Sequence, residues 1–226
     1  MESKEQRYKK VLFIPGFLRD EGRVARVSQI IEQIQPKFND AGWEIVVSNY
    51  YQGKPTDLPL DVCAGRVDSE LFWDKYDAVI AHSMGGLLLP QNIWRNIPVV
   101  VIESPWYGVL RWQFRVINLL ARLKREGVFP LNNIGVRGMI RGGEYIQNRH
   151  LFPWWGSRAL QINGQLGTCQ LARIGNTFGR IPGIGRYVEF PKIGHINLLT
   201  DPEVIQLVLD FLNSDTKIDA LISLEK

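Results

Sequence analysis

The chain has 226 residues, of which 45% are hydrophobic and 22% charged, with a formal net charge of +4. That balance excludes intrinsic disorder and a small stapled scaffold, and the length suits one large α/β domain spanning 1–226. The charge is mild and scattered, and no basic run interleaves with aromatics, which argues against a nucleic-acid partner.

The elements follow in order. Residues 1–10 are polar and lack the apolar core of a signal peptide, and no stretch approaches the length of a membrane span. The expectation is a soluble, cytoplasmic protein with no integral membrane segment. Val11-Leu12-Phe13-Ile14 is a short apolar run closed by Pro15-Gly16 and reads as the first strand. Val24, Val27, Ile30, Ile31, Ile34 and Phe38 recur at helical spacing over 22–39, with Gly42 as the stop. Trp43 to Val47 is a second strand, and a helix is expected over 62–72. Cys63, inside it, and Cys169 fit no metal spacing and read as free thiols.

The stretch Asp77-Ala78-Val79-Ile80-Ala81-His82-Ser83-Met84-Gly85-Gly86 carries the chemistry. Four apolar residues form a buried strand that runs straight into a serine, and Leu87, Leu88 and Leu89 continue as a helix. A serine on a strand-to-helix corner is a nucleophile elbow. The corner is so sharp that its flanking residues must be small, here Ala81 and Gly85. It lifts the Ser83 hydroxyl above the sheet, and the Met84 N–H points into the same space as a donor for a developing oxyanion.

Val99 to Ile102 is another fully apolar strand, ending in Glu103. Strands are also expected near 158–163 and 186–190, and Asp201-Pro202 should cap a last helix. Uniformly apolar strands alternating with helices imply a mainly parallel six-stranded sheet covered on both faces, a three-layer α/β/α sandwich. The second strand should lie at the edge beside the first, with the others following in sequence order. Between 105 and 157 the alternation stops and aromatics accumulate. Residues 109–123 have the pattern of an amphipathic helix, and the segment reads as a helical cap whose Trp106, Tyr107 and Trp112 line a substrate site. Its position after a strand that ends beside Ser83 is the reason.

A serine nucleophile needs a base, and the chain has three histidines. His82 lies within the elbow and should turn away from Ser83, while His150 lies in the cap. His195 follows the last strand at the carboxyl edge of the sheet and is the base of choice.

Ile14-Pro15-Gly16-Phe17, Ala81-His82-Ser83-Met84-Gly85-Gly86 and Gly194-His195-Ile196-Asn197-Leu198-Leu199 together resemble three signatures of the α/β-hydrolase superfamily, in its usual order. The elbow is similar to those of small lipases and esterases. Ala81 stands for the usual glycine and Pro15 for the usual histidine. The resemblance implies an oxyanion hole from the N–H groups of Met84 and Phe17, with Leu18 the alternative to Phe17. It implies no cofactor and no metal, and a small-molecule ester substrate with an apolar group. The acid usually follows the penultimate strand, but 162–168 holds no carboxylate. Some lipases carry it one strand earlier, where Glu103 stands here. Glu103 is therefore assigned, with Glu144, Asn163 and Gln165 as alternatives. Two functions stay open: a carboxylic-ester hydrolase using Ser83, His195 and Glu103, and a non-hydrolytic relative, either a binding protein with a degenerate site or a lyase. The oligomeric state is not legible.

Overall fold

The computed structural model describes residues 8–17, 21–51, 58–73, 76–90, 97–113, 115, 116, 119, 137–141, 145, 146, 158–166, 180, 181 and 185–214. Six strands, β1 (Lys9–Ile14), β2 (Trp43–Val47), β3 (Ala78–His82), β4 (Val99–Ile102), β5 (Ala159–Leu166) and β6 (Arg186–Gly194), form one sheet. Their order is β2-β1-β3-β4-β5-β6, and every pair is parallel. Order and direction are those expected from the pattern of the chain. Parallel strands need a crossover between them, and α1 (Glu21–Asp40) and α2 (Leu60–Trp73) supply two.

The strands are apolar throughout because both faces are covered. Val11, Phe13, Ala78, Ile80, Val100, Ile102, Leu160 and Ile162 pack with Ile30, Ile34 and Phe38 of α1. The same layer takes Val204, Ile205, Val208, Leu209 and Leu212 of the last helix, α4 (Pro202–Asn213). The alternate residues Leu12, Ile14, Val79, Ala81, Val99 and Val101 face the other way, against Leu60, Cys63 and Val67 of α2. Two layers of side chains thus sandwich the sheet. Each buried aliphatic side chain contributes about 1.5–3 kcal/mol. The Asp201 cap, which accepts from the Glu203 and Val204 N–H groups, contributes about 1 kcal/mol. Packing therefore holds α4 in place, and the cap sets where it starts.

Gly42 ends α1 as expected, with φ at 84°, a conformation that glycine adopts without steric cost. Two strands outrun their expected length. β5 continues to Leu166 and β6 to Gly194, with a register irregularity between Gly164 and Leu166. On β6 the apolar pattern lapses because that strand is outermost and its exposed residues no longer need to be apolar, whereas on β5 it stops at Asn163 and Gln165, whose side chains bond to Tyr187 and Glu189 of β6. Among the described residues, no helix is long and apolar enough to cross a membrane.

Candidate active site

The corner after β3 is as sharp as its spelling requires. Ser83 has φ 55° and ψ −127°, and the short helix α3 (Met84–Leu87) begins immediately after it. A serine held there stores about 1–3 kcal/mol of backbone strain. The surroundings hold it. The Ser83 N–H donates to the Ile102 carbonyl at 2.8 Å, and the Gly86 N–H donates to the Ser83 carbonyl at 3.1 Å. The glycines are needed for space. A Cβ on Gly85 would lie 2.2 Å from the Ile14 oxygen, and one on Gly86 would lie 1.9 Å from Ser104 Oγ.

The loop after β1 passes against the serine. A Cβ on Gly16 would lie 2.8 Å from Ser83 Cβ and 3.3 Å from Ser83 Oγ. Tyr50, fully buried, holds this loop by donating its hydroxyl to the Gly16 carbonyl at 2.8 Å. Burial pushes the Tyr50 phenol well above its ordinary value, with Cys63 and Tyr51 adding to the shift, so it remains a donor. Phe17, next along, and Met84 are both buried in the apolar layer that also contains Trp106.

A second corner follows β4. Glu103 has φ 48°, and its N–H extends the ladder to the Ile162 carbonyl at 2.8 Å. Its side chain is completely buried. One carboxylate oxygen, Oε1, accepts from the Gly164 N–H at 3.0 Å. The other, Oε2, lies 2.5 Å from His195 Nδ1. An ionised carboxylate only accepts, so the Nδ1 proton lies between the two groups. In the neutral ring this leaves the lone pair on Nε2.

His195 follows β6, and its side chain is 20% exposed. It is also tied to the elbow strand. His82 Nε2 lies 3.3 Å from the His195 carbonyl oxygen, and the two rings meet at a tilt of 37° with centroids 4.5 Å apart. His82 is 4% exposed. Burial, then the neighbouring His195, pushes its pKa well below 6.5, partly offset by the bond to the His195 carbonyl.

No family model matches the sequence, and no curated protein matches it. Solved structures do match. GrgF, an alpha/beta hydrolase from Penicillium sp. sh18, has a TM-score of 0.52 at 13% identity, over 92% of this chain and 90% of its own. BpoC from Mycobacterium tuberculosis has a TM-score of 0.53 at 17% identity, over 90% and 91%. Polyneuridine aldehyde esterase has a TM-score of 0.50 at 14% identity, over 90% and 98%. The chain has the α/β-hydrolase fold.

Within this α/β-hydrolase fold, the expected site residues are placed as follows. Glu103 and His195 are brought into direct contact, and Ser83 ends the neighbouring strand β3. Asn163 and Gln165, the polar alternatives to Glu103, point to β6 instead. Asn163 Nδ2 donates to the Tyr187 hydroxyl at 3.2 Å, and Gln165 Nε2 donates to Glu189 at 2.6 Å. Trp106 is buried in the core layer, Tyr107 donates its hydroxyl to the Arg180 carbonyl at 3.1 Å, and Trp112 is 41% exposed. Leu18, Glu144, His150 and Cys169 lie outside the described residues, as does much of 105–157.

The described residues of 105–157 bind to one another and to the short helix α3. Val109 pairs with Ile140, Arg141 Nε donates to the Tyr107 carbonyl at 2.8 Å, and the Tyr145 hydroxyl donates to the Leu87 carbonyl at 2.6 Å. Three contributors to the candidate site escaped sequence reasoning: Tyr50, His82 and the Gly164 amide. Their partners lie 34, 113 and 61 residues away along the chain, so no local pattern marks them.

Proposed function

We propose that the protein is a serine hydrolase of carboxylic esters. The observation that carries the reading is the buried Glu103 carboxylate 2.5 Å from His195 Nδ1, beside a strained serine corner at the same sheet edge. This arrangement removes the main support for a degenerate site, the lack of a carboxylate after β5. Esterases among solved structures of the same fold support the reading only by analogy.

In this reading Ser83 Oγ attacks the ester carbonyl while His195 Nε2 takes its proton. The Oγ–C bond forms, and the carbonyl oxygen becomes an oxyanion that accepts from the Met84 and Phe17 N–H groups. Glu103 stabilises the imidazolium and keeps its proton on Nδ1. Collapse breaks the C–O bond to the alcohol, which leaves with the proton from His195. Water, deprotonated by the same ring, then releases the acid and regenerates Ser83. The aromatics that accumulate over 105–157, Trp112 exposed among them, favour an apolar acyl or alcohol group. The insertion acts as a cap on the one domain that carries the site.

The test is labelling with a fluorophosphonate together with hydrolysis of short p-nitrophenyl esters. Stoichiometric label on Ser83, with label and turnover both lost in Ser83→Ala, is the expected result. Unchanged turnover in either Ser83→Ala or His195→Ala overturns the mechanism.

A further inference from the structure

The residue before the nucleophile carries an unassigned task. We infer that His82 is a positioning residue for the base: its Nε2–H holds the backbone of His195, and its ring packs at a tilt against the His195 imidazole. This rests on His195 being the base.

The argument starts from strand geometry. Ala78, Ile80 and His82 alternate along β3, and the first two pack in the layer formed with α1 and α4. His82 therefore leaves the strand on that face. The turn after β6 lies on the same side because it leads through the 3₁₀ turn Asn197–Leu199 into α4. The contact between His82 and His195 is thus fixed by topology.

Its chemistry is fixed as well. The partner of His82 Nε2 is a carbonyl oxygen, 3.3 Å away, which can only accept. Nε2 must carry the proton. A neutral His82 then has its lone pair on Nδ1, and burial keeps the ring neutral. The charged and titratable groups facing this spot among the described residues are His195 itself and, behind it, Glu103. A neutral neighbour matters because the base becomes positively charged during the reaction, and a second cation with its ring centroid 4.5 Å away would oppose it.

The two anchors on His195 act on different parts of the residue. Glu103 fixes the ring through Nδ1, and His82 fixes the backbone carbonyl that the ring hangs from. Without the second, the ring can swing about Glu103 Oε2 and Nε2 loses its aim at Ser83. Small misplacements of a catalytic group cost about 10²-fold in rate. The sequence alone gives His82 no such part, since its side chain points away from the hydroxyl beside it.

The experiment compares His82→Gln with His82→Leu. Glutamine places its Nε2 the same number of bonds from Cα and can donate to the same carbonyl, whereas leucine fills space without donating. On a short p-nitrophenyl ester, His82→Leu should lower kcat by about 10–100-fold with KM within about threefold. His82→Gln should recover most of that loss. Proton NMR supplies a readout independent of turnover. The Nδ1 proton shared by His195 and Glu103 should resonate far downfield in the parent protein and in His82→Gln. It should broaden or vanish in His82→Leu while the rest of the spectrum remains folded. If the NMR pattern holds and no ester is cleaved, His82 retains its positioning role and the ester reading alone fails. If His82→Leu keeps both the downfield proton and full turnover, the inference is overturned. Equal losses in His82→Gln and His82→Leu overturn it too, because His82 would then act as packing alone.

Discussion

Ser83 and Glu103 occupy matching places on neighbouring strands. Each is the first residue past its strand, and they are the two non-glycine residues with positive φ among those described. The corners are held in different ways. Around Ser83 the constraint is steric: Gly16, Gly85 and Gly86 let other backbone and side-chain atoms approach where a methyl group would collide. Around Glu103 the constraint is polar: a backbone N–H and an imidazole grip the two carboxylate oxygens. The first corner is sensitive to volume and the second to charge and proton placement. Strain of about 1–3 kcal/mol at each site is held by a different force, and each force can be removed separately.

The largest separation of the two should come from Glu103→Gln. The shape of the corner is kept, but the acceptor of the Nδ1 proton is lost, and the tautomer with Nε2 free is no longer favoured. Ester turnover should fall by roughly 10³–10⁴-fold, with little change in melting temperature. A fall below tenfold would transfer the acid's role to another residue.

Gly85→Ala should do the reverse. Its Cβ meets two backbone oxygens, and neither can swing aside as a side chain could. Overpacking of this kind costs about 1–3 kcal/mol, or very roughly 2–12 °C in melting temperature for a chain of this size. Thermal unfolding measures it directly. Alanine tolerated with no change in melting temperature would show that the corner relaxes.

The elbow was legible before any coordinates because steric demands are written contiguously: apolar strand, serine, small residues, apolar helix. The parallel, doubly covered sheet was legible for a similar reason, since strands buried on both faces are apolar at every position. Glu103 was reached only through the resemblance to lipases that carry the acid one strand earlier, with Glu144, Asn163 and Gln165 left as alternatives. The left-handed turn at Glu103 and the Gly164 amide that grips it carry no signature in sequence. The contact of His82 with His195 has no mark in sequence, because it joins residues 113 apart along the chain. The core position of Trp106 was hidden too, because an aromatic run reads the same whether it lines a cleft or packs beneath one.

A smaller effect concerns acid stability. The pKa of His82 is depressed in the folded protein relative to about 6.5 when unfolded. Above that value both states leave it neutral and its contribution is complete. As pH falls below it, the unfolded state takes up the proton first and stability declines. Melting temperature should therefore drop more steeply between pH 7 and pH 5 in the parent protein than in His82→Gln. Parallel curves would show that His82 does not remain neutral on folding.

The smallest effect is expected at Cys63, in the layer that α2 packs against the sheet. It is fully buried, and burial chiefly pushes its thiol up to about 11. Alkylation at pH 8 followed by peptide mapping should find Cys63 unmodified in the folded protein and modified in denaturant. Rapid modification under native conditions would mean that this layer opens readily.

The strand that delivers His195 also bounds the sheet. β6 is the outermost strand on its side, and along it Arg186, Glu189, Pro191 and Lys192 are exposed. Among the described residues no further strand pairs with this margin, where proline has no N–H to offer an incoming strand and exposed charges make pairing with a second copy costly. The same nine residues therefore bring His195 to the sheet edge at one end and discourage molecules from zipping together into aggregates along their length.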